Sequence, residues 1–253
     1  MALKFIKAGE EVSPPENTQK LSEFALSSGW ELLFEWRNGQ PWLHSDQKGE
    51  RPIGLELDRE LDRHLNYFKK SSLHKELLAR AIGIKGSYRP RVLDLTAGLL
   101  GDSLLLLAMG CEVTAIERHP VVSFLIQTAL KNAEHPLLKN FTFIEDDALS
   151  FLEAPPNSSW DALYYDPMFE DANEKTLPRK EMRIFRGLVG EDADALKVFE
   201  LALNKKPKRL VVKRPRLSRT ISSETPLQYI GKATRYDVYL AQNHGPNESN
   251  HIK

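Results

Sequence analysis

The chain has 253 residues, 41% of them hydrophobic, with 35 lysines and arginines against 35 aspartates and glutamates and a single cysteine. That balance describes a globular protein able to bury a core, and it excludes collagen-like, low-complexity and wholly disordered classes. Cys111 alone supplies neither an intrachain disulfide nor a thiolate zinc site, so a reducing, cytoplasmic setting is expected.

The run from Met1 to Glu11 has too short an apolar stretch before its charges to read as a secretory signal, and Leu104 to Cys111 falls far below the ~20 residues of a membrane span. Punctuation and periodicity predict a small N-terminal unit over residues 1–54, a main domain over 55–241 and a flexible tail over 242–253. In the first unit Leu21, Phe24, Ala25 and Leu26 predict a short helix, Trp30 to Trp36 a strand, and Asn38-Gly39 a hairpin turn into Pro41-Trp42-Leu43. Leu55 to Ile84 is helical in pattern, with Leu73, Leu77, Leu78, Ala81 and Ile82 on one face and Gly83 and Gly86 ending it. Beyond Pro90, strands are predicted at 92–95, 113–116, 141–144, 162–165 and 210–213. They alternate with helices at 102–109, 120–132, 148–152 and 193–204, and a strand over 236–241 closes the series. Strands separated by helices imply parallel pairing and a doubly wound, mostly parallel α/β sheet, with the N-terminal unit as a small α/β extension. The final strand follows a helix-poor segment and is expected to insert antiparallel.

Ligands of such sheets bind outside the carboxyl ends of the strands, so the residues just after each strand carry the functional reading. Asp94 to Asp102 runs from a strand through a glycine turn at Gly98 and Gly101 into a helix, a place where backbone amides approach a ligand. Glu117, about twenty residues beyond Gly98, stands where an acidic side chain accepts both ribose hydroxyls of a nucleoside. Asp146-Asp147-Ala148 follows the next strand and either reaches an adenine edge or caps the short helix behind it. Together these describe an adenosine site. The fourth strand then delivers Tyr164-Tyr165-Asp166-Pro167-Met168-Phe169. Asp166 and the Pro167 carbonyl suit the protons of an amine on a heteroaromatic ring, and Phe169 suits stacking of that ring.

These residues resemble the class I S-adenosylmethionine-dependent methyltransferases, and more closely the ribosomal RNA small subunit methyltransferase J family. The similarity spans about Leu57 to Leu240 and is carried by AIGIKG (81–86), RVLDLTAGL (91–99), MGCEV (109–113), ERHPVV (117–122), YYDPMF (164–169), KEMRIFRGLVG (180–190) and VVKRP (211–215). The resemblance implies a Rossmann-like methyltransferase sheet, S-adenosylmethionine as cofactor, and methylation of the exocyclic N2 of a guanine in 16S rRNA, free or in the small ribosomal subunit. It also implies cofactor contacts at Gly101-Asp102, Glu117-Arg118, Asp147-Ala148 and Asp166. The chain departs from the family pattern at Leu100, where a glycine is usual, at Asp147-Ala148 in place of a serine pair, at Glu170 in place of a proline, and at Lys69 to Ser72 in place of a glycine-rich segment.

Eight of the fifteen residues from Lys205 to Arg219 are basic, and no acidic residue lies between Glu200 and Glu224. Lys213 and Arg214, with Lys180 and Arg183 beyond the YDPMF turn, are therefore the expected RNA contacts. Cys111 reads as a packing residue, and the seven histidines show no metal-binding spacing. Two other readings stand beside the lead: an RNA-binding or assembly protein on the same fold without turnover, and a nicotinamide-dependent oxidoreductase. The latter lacks a full glycine fingerprint and a Tyr-x-x-x-Lys pair.

Overall fold

The computed structural model describes residues 3–16, 18–44, 51–154, 159–168, 194–223 and 225–240. Phe169, Lys180, Arg183 and the tail from 242 lie outside the described residues.

The main sheet takes strands β5 (Arg91–Asp94), β6 (Glu112–Glu117), β7 (Phe141–Glu145), β8 (Ala162–Tyr165), β9 (Arg209–Pro215), β10 (Leu227–Ile230) and β11 (Thr234–Leu240). Their order is β10-β11-β9-β8-β5-β6-β7. Pairing from β9 through β7 is parallel, while β11 is antiparallel to both β9 and β10. The expected class of sheet and the antiparallel final strand are thus both present. Val92, Leu93, Leu163, Leu210 and Val211 are buried, as strands covered on both faces require.

Helices α2 (Leu57–Lys70), α3 (Leu77–Ile82), α4 (Gly101–Ala108) and α5 (Pro120–Asn132) cover one face, and α6 (Ala148–Glu153) and α7 (Ala195–Asn204) the other. The continuous helical pattern of residues 55–84 is broken where Ser71 and Ser72 turn extended and the Ser72 hydroxyl accepts the His74 N–H. Gly83 closes α3 at φ 92°, its N–H donating to the Ala79 carbonyl. A Cβ there would lie 2.6 Å from Arg209 Nε, so this helix end requires glycine on two counts. Among the described residues no helix is long and apolar enough to cross a membrane.

A second sheet, ordered β2-β1-β3-β4, comprises β1 (Leu3–Lys7), β2 (Glu10–Glu11), β3 (Leu32–Arg37) and β4 (Gln40–His44), with α1 (Gln19–Ser28) linking β2 to β3. The β3–β4 hairpin turns on Asn38 and Gly39, both at positive φ as a two-residue loop requires. Strand β1, unforeseen in the sequence, alternates buried Leu3 and Phe5 with exposed Lys4 and pairs parallel with β3. The Phe5 and Phe34 rings stack at 5.3 Å, and Phe124 of α5 meets them edge-on at 5.9 and 5.2 Å. One hydrophobic cluster therefore runs from the small sheet into the main one.

Phe34→Ala should cost about 3–5 kcal/mol, because it empties a fully buried site between two other rings. Urea denaturation should show a lower midpoint for the whole protein in a single transition, with the far-ultraviolet and tryptophan signals moving together.

Candidate active site

The parallel register brings the carboxyl ends of β5, β6, β7 and β8 to one edge, with Asp94 level with Tyr164 and Glu117 level with Glu145. At this edge the chain leaves β5 through a turn in which Gly98 has φ 50° and Leu100, the N-cap of α4, has φ 62°. Leu100 is fully buried, so its side chain anchors the left-handed position where a glycine would be unstrained. Asp94 shapes the same turn from beneath. Its carboxylate accepts the Thr96 N–H at 3.1 Å and the Ser103 hydroxyl at 2.6 Å, and burial pushes its carboxyl up to about 7.

A cleft opens over this edge. Its walls include Leu95, Ile116, Ala148, Tyr165, Met168 and Val198, and its polar lining includes Thr96, Gly98, Glu117, Arg118, Asp146, Asp166 and Asp194. Glu117 is nearly buried and accepts the N–H groups of Gly98 at 2.9 Å and His119 at 2.7 Å, so it ties the glycine turn to the end of β6. Arg118 donates to Asp147 at 3.0 Å and Asp194 at 2.8 Å, joining the N-termini of α6 and α7 across the cleft.

Asp166 follows β8, and its N–H donates to the Thr96 hydroxyl at 2.8 Å. Its carboxylate accepts from the Lys213 ammonium at 2.8 Å, and the same ammonium donates to Asp102 at 2.7 Å. Asp102 also accepts the Tyr164 hydroxyl at 2.5 Å. Burial opposes the charge of Lys213, but Asp166 and Asp102 outweigh it and hold the ammonium above the ordinary lysine value. The fully buried Tyr164 phenol is raised by burial and by the same two carboxylates.

Of the expected cofactor residues, Gly98, Glu117, Arg118, Ala148 and Asp166 come together in the cleft lining, whereas Asp94 lies beneath it. Gly101 begins α4 outside the lining, and Asp102 turns to Lys213. Asp147 takes the capping alternative: its carboxylate accepts the Leu149 and Ser150 N–H groups, and Asp146 lines the cleft in its place. Pro167 is buried directly after Asp166. Of the expected RNA contacts, Lys213 is half-buried and engaged by two carboxylates. Strand alternation turns Lys213 toward α4, and Arg214 is buried on the opposite face, its Nε donating to the Arg219 carbonyl. The sequence reading missed Thr96, Met168 and Asp194. Thr96 sits inside the quoted RVLDLTAGL stretch, and Asp194 precedes a helix as a capping residue often does, but neither signal alone points to a cleft. Among the described residues no three His, Cys, Asp or Glu side chains gather as a metal site.

The "Putative SAM-dependent methyltransferase" family model matches residues 44–241. The ribosomal RNA small subunit methyltransferase J of Laribacter hongkongensis is 42% identical, over 90% of this chain and 85% of that relative. The protein of the same name from Pseudomonas paraeruginosa is 34% identical, over 85% and 92%. The chain belongs to this family. It is therefore an S-adenosylmethionine-dependent methyltransferase. A crystal structure of a SAM-dependent methyltransferase from Neisseria gonorrhoeae superposes with a TM-score of 0.65 at 26% identity, covering 94% of this chain and 89% of that one.

The cleft suits the family's cofactor. Apolar walls accept an adenine ring, and among the described lining residues the carboxylates of Glu117, Asp146, Asp166 and Asp194 against the cation Arg118 favour a ligand carrying a sulfonium and an ammonium. The two phosphates of a nicotinamide dinucleotide would meet repulsion from the same lining.

Asp147→Ala should destabilise the protein by about 1 kcal/mol at neutral pH, through the lost helix cap. Burial works against ionised Asp147, but Arg118 and the two backbone donors outweigh it and hold its carboxyl below the ordinary value. Its contribution is thus complete above the ordinary aspartate range and is lost as pH falls through the lowered folded value. Chemical denaturation at pH 7 and near pH 3 should show the difference from wild type shrinking on the acid side.

Proposed function

We propose that this protein methylates the exocyclic N2 of a guanine in small-subunit 16S rRNA, in the cytoplasm. The observation that carries this reading is the position of the Asp166-Pro167 turn, on the rim of an acidic cleft at the carboxyl edge and locked there by Thr96 and Lys213. Gly98, Glu117, Asp146 and Ala148 are the residues proposed to hold the adenosine half of S-adenosylmethionine. When bound, the cofactor supplies an electrophilic methyl group on a sulfonium.

An amine on a heteroaromatic ring donates its lone pair into the ring and is a weak nucleophile. The Asp166 carboxylate and the Pro167 carbonyl are proposed to accept its two N–H bonds, which orients the lone pair toward the cleft and opposes the positive charge that grows on nitrogen. As the new carbon–nitrogen bond forms, the amine becomes a strong acid and releases one proton to Asp166 or to water, so no base with an unusual proton affinity is needed. Phe169, next but one after Pro167, is proposed to stack the guanine once it is turned out of its helix. Lys213 acts through Asp166: its ammonium fixes the carboxylate and favours its ionised form.

Nucleoside mass spectrometry of 16S rRNA should show one N2-methylguanosine lost when the protein is deleted and restored when it is returned. Asp166→Ala should lower the single-turnover rate at saturating cofactor and RNA by roughly 10²-fold or more. A near-normal rate in that variant would remove Asp166 from the chemistry.

A further inference from the structure

With Arg214 buried and the half-buried Lys213 ammonium held between Asp102 and Asp166, the RNA backbone calls for another cationic surface, and the structure supplies one on the far side of Asp166 from the cofactor cleft. Three segments meet at the carboxyl edge beyond β9. The first is the end of α2 and the turn into α3, with exposed Lys69, Lys70, His74 and Lys75. The second is the turn after β9, with exposed Arg216 and Arg219, and the third is the β10–β11 hairpin tip, with exposed Lys232.

Backbone and side-chain contacts make these one surface. The Arg216 N–H donates to the Ala233 carbonyl at 2.8 Å, which fastens the turn to the hairpin tip. Gly231 lies so close to the start of α3 that a Cβ on it would stand 2.9 Å from Leu77 Cδ1. The buried Arg235 guanidinium holds the turn from below. It donates to the Arg216 and Ser218 carbonyls at 3.0 and 2.9 Å while paired with the fully buried Asp237.

Residues 69–75, 215–223 and 231–234 contain no aspartate or glutamate. Among the described residues, none of Lys69, Lys70, Lys75, Arg216, Arg219 or Lys232 is in an ion pair, whereas Arg59 and Arg63, on the same α2, are each paired with a neighbouring glutamate. Exposed Tyr67 and Leu217 supply apolar surface between the charges. Asp166 sits one strand from β9, about 5 Å across the sheet, so the rim begins beside the reacting group.

We propose that Lys69, Lys70, Lys75, Arg216, Arg219 and Lys232 form the docking rim for the rRNA backbone, which approaches from the α2–α3 and β9–β11 side. The proposal rests on the rRNA methyltransferase reading above and adds to it the direction of approach. Charge is sorted around Asp166: carboxylates on the cleft side face a cationic cofactor, and unpaired cations on the other side face phosphates. A rim that binds phosphates carries affinity without reading sequence, so it acts on binding and its salt dependence.

The test is filter binding of a small-subunit rRNA transcript to the full chain across a salt series. The variant is Lys70→Glu/Lys75→Glu/Lys232→Glu, and the control Lys85→Glu/Lys131→Glu/Lys139→Glu carries the same charge change at exposed positions on the opposite, amino edge. The rim variant should lose at least tenfold in affinity near 0.1 M salt, and its plot of log affinity against log salt should flatten by about two units. The control should match wild type. S-adenosylmethionine binding by calorimetry, unchanged in both, shows that each is folded, and Lys232→Gln alone should flatten the slope by a fraction of one unit. Wild-type methylation of the transcript together with rim-variant affinity and slope equal to wild type would overturn the rim and leave the enzyme reading standing. A wild-type protein that neither binds nor methylates the transcript would overturn both.

Discussion

A lysine ammonium withdrawn from bulk water must be met by opposite charge, and Lys213 is met by two carboxylates, Asp102 at 2.7 Å and Asp166 at 2.8 Å. Those partners come from different elements, so a single ammonium joins the start of α4, the end of β8 and β9. Remove the lysine and two carboxylates would face each other beside the Tyr164 phenol. Among the described residues, the groups around it are Asp102 from α4, Tyr164 and Asp166 from β8 and its turn, and Tyr236 across from it on β11, with His64 of α2 and Glu76 before α3 farther out. Thr96 adds the link from β5, its hydroxyl accepting the Asp166 N–H. Asp166 is thereby fixed through both its backbone and its side chain, directly at the end of β8.

Under the proposed reading, the same arrangement lets a protein of zero formal net charge take a cationic small molecule and a polyanion at one edge. Glu117, Asp146 and Asp194 lie on the β5–β7 side of Asp166, and the exposed lysines and arginines lie on the β9–β11 side. The neutral total conceals a strong local asymmetry. Arg118, the one cation among the described lining residues, is occupied by Asp147 and Asp194 and joins two helix N-termini across the cleft.

The strand–helix alternation from β5 to β9 was legible because its apolar runs are buried on both faces, and Pro120 to Asn132 and Ala162 to Tyr165 fall where periodicity places them. Strand β1 was not: five residues give too few alternations to separate a half-buried strand from a polar terminus. Strand β10 was not either, since Leu227, Gln228 and Ile230 are exposed on an edge held mainly by backbone pairing. In the site, Glu117 and Asp166 were legible from their positions after strands. The fate of Lys213 and Arg214 was not, because a basic run reads as surface until strand alternation assigns one residue to each buried face. Asp102 shows the same limit: the sequence places it at a helix start near the cofactor, and only the fold shows it turned toward a lysine more than a hundred residues away.

The account turns on Lys213 keeping Asp166 ionised and aimed, and the most direct measurement is the ratio of wild-type to Lys213→Met single-turnover methylation rates as a function of pH. Taking the ratio cancels titrations common to both proteins, such as that of Asp94. Without the ammonium the two facing carboxylates repel each other with nothing between them, which disfavours the doubly ionised pair, so the ratio should rise as pH falls from 8.5 to 6.5. Lys213→Arg should restore part of the rate, and cofactor affinity should change little in either variant. A ratio that stayed constant across that range would contradict the account, because it would mean that Lys213 supports the fold without governing the charge of Asp166.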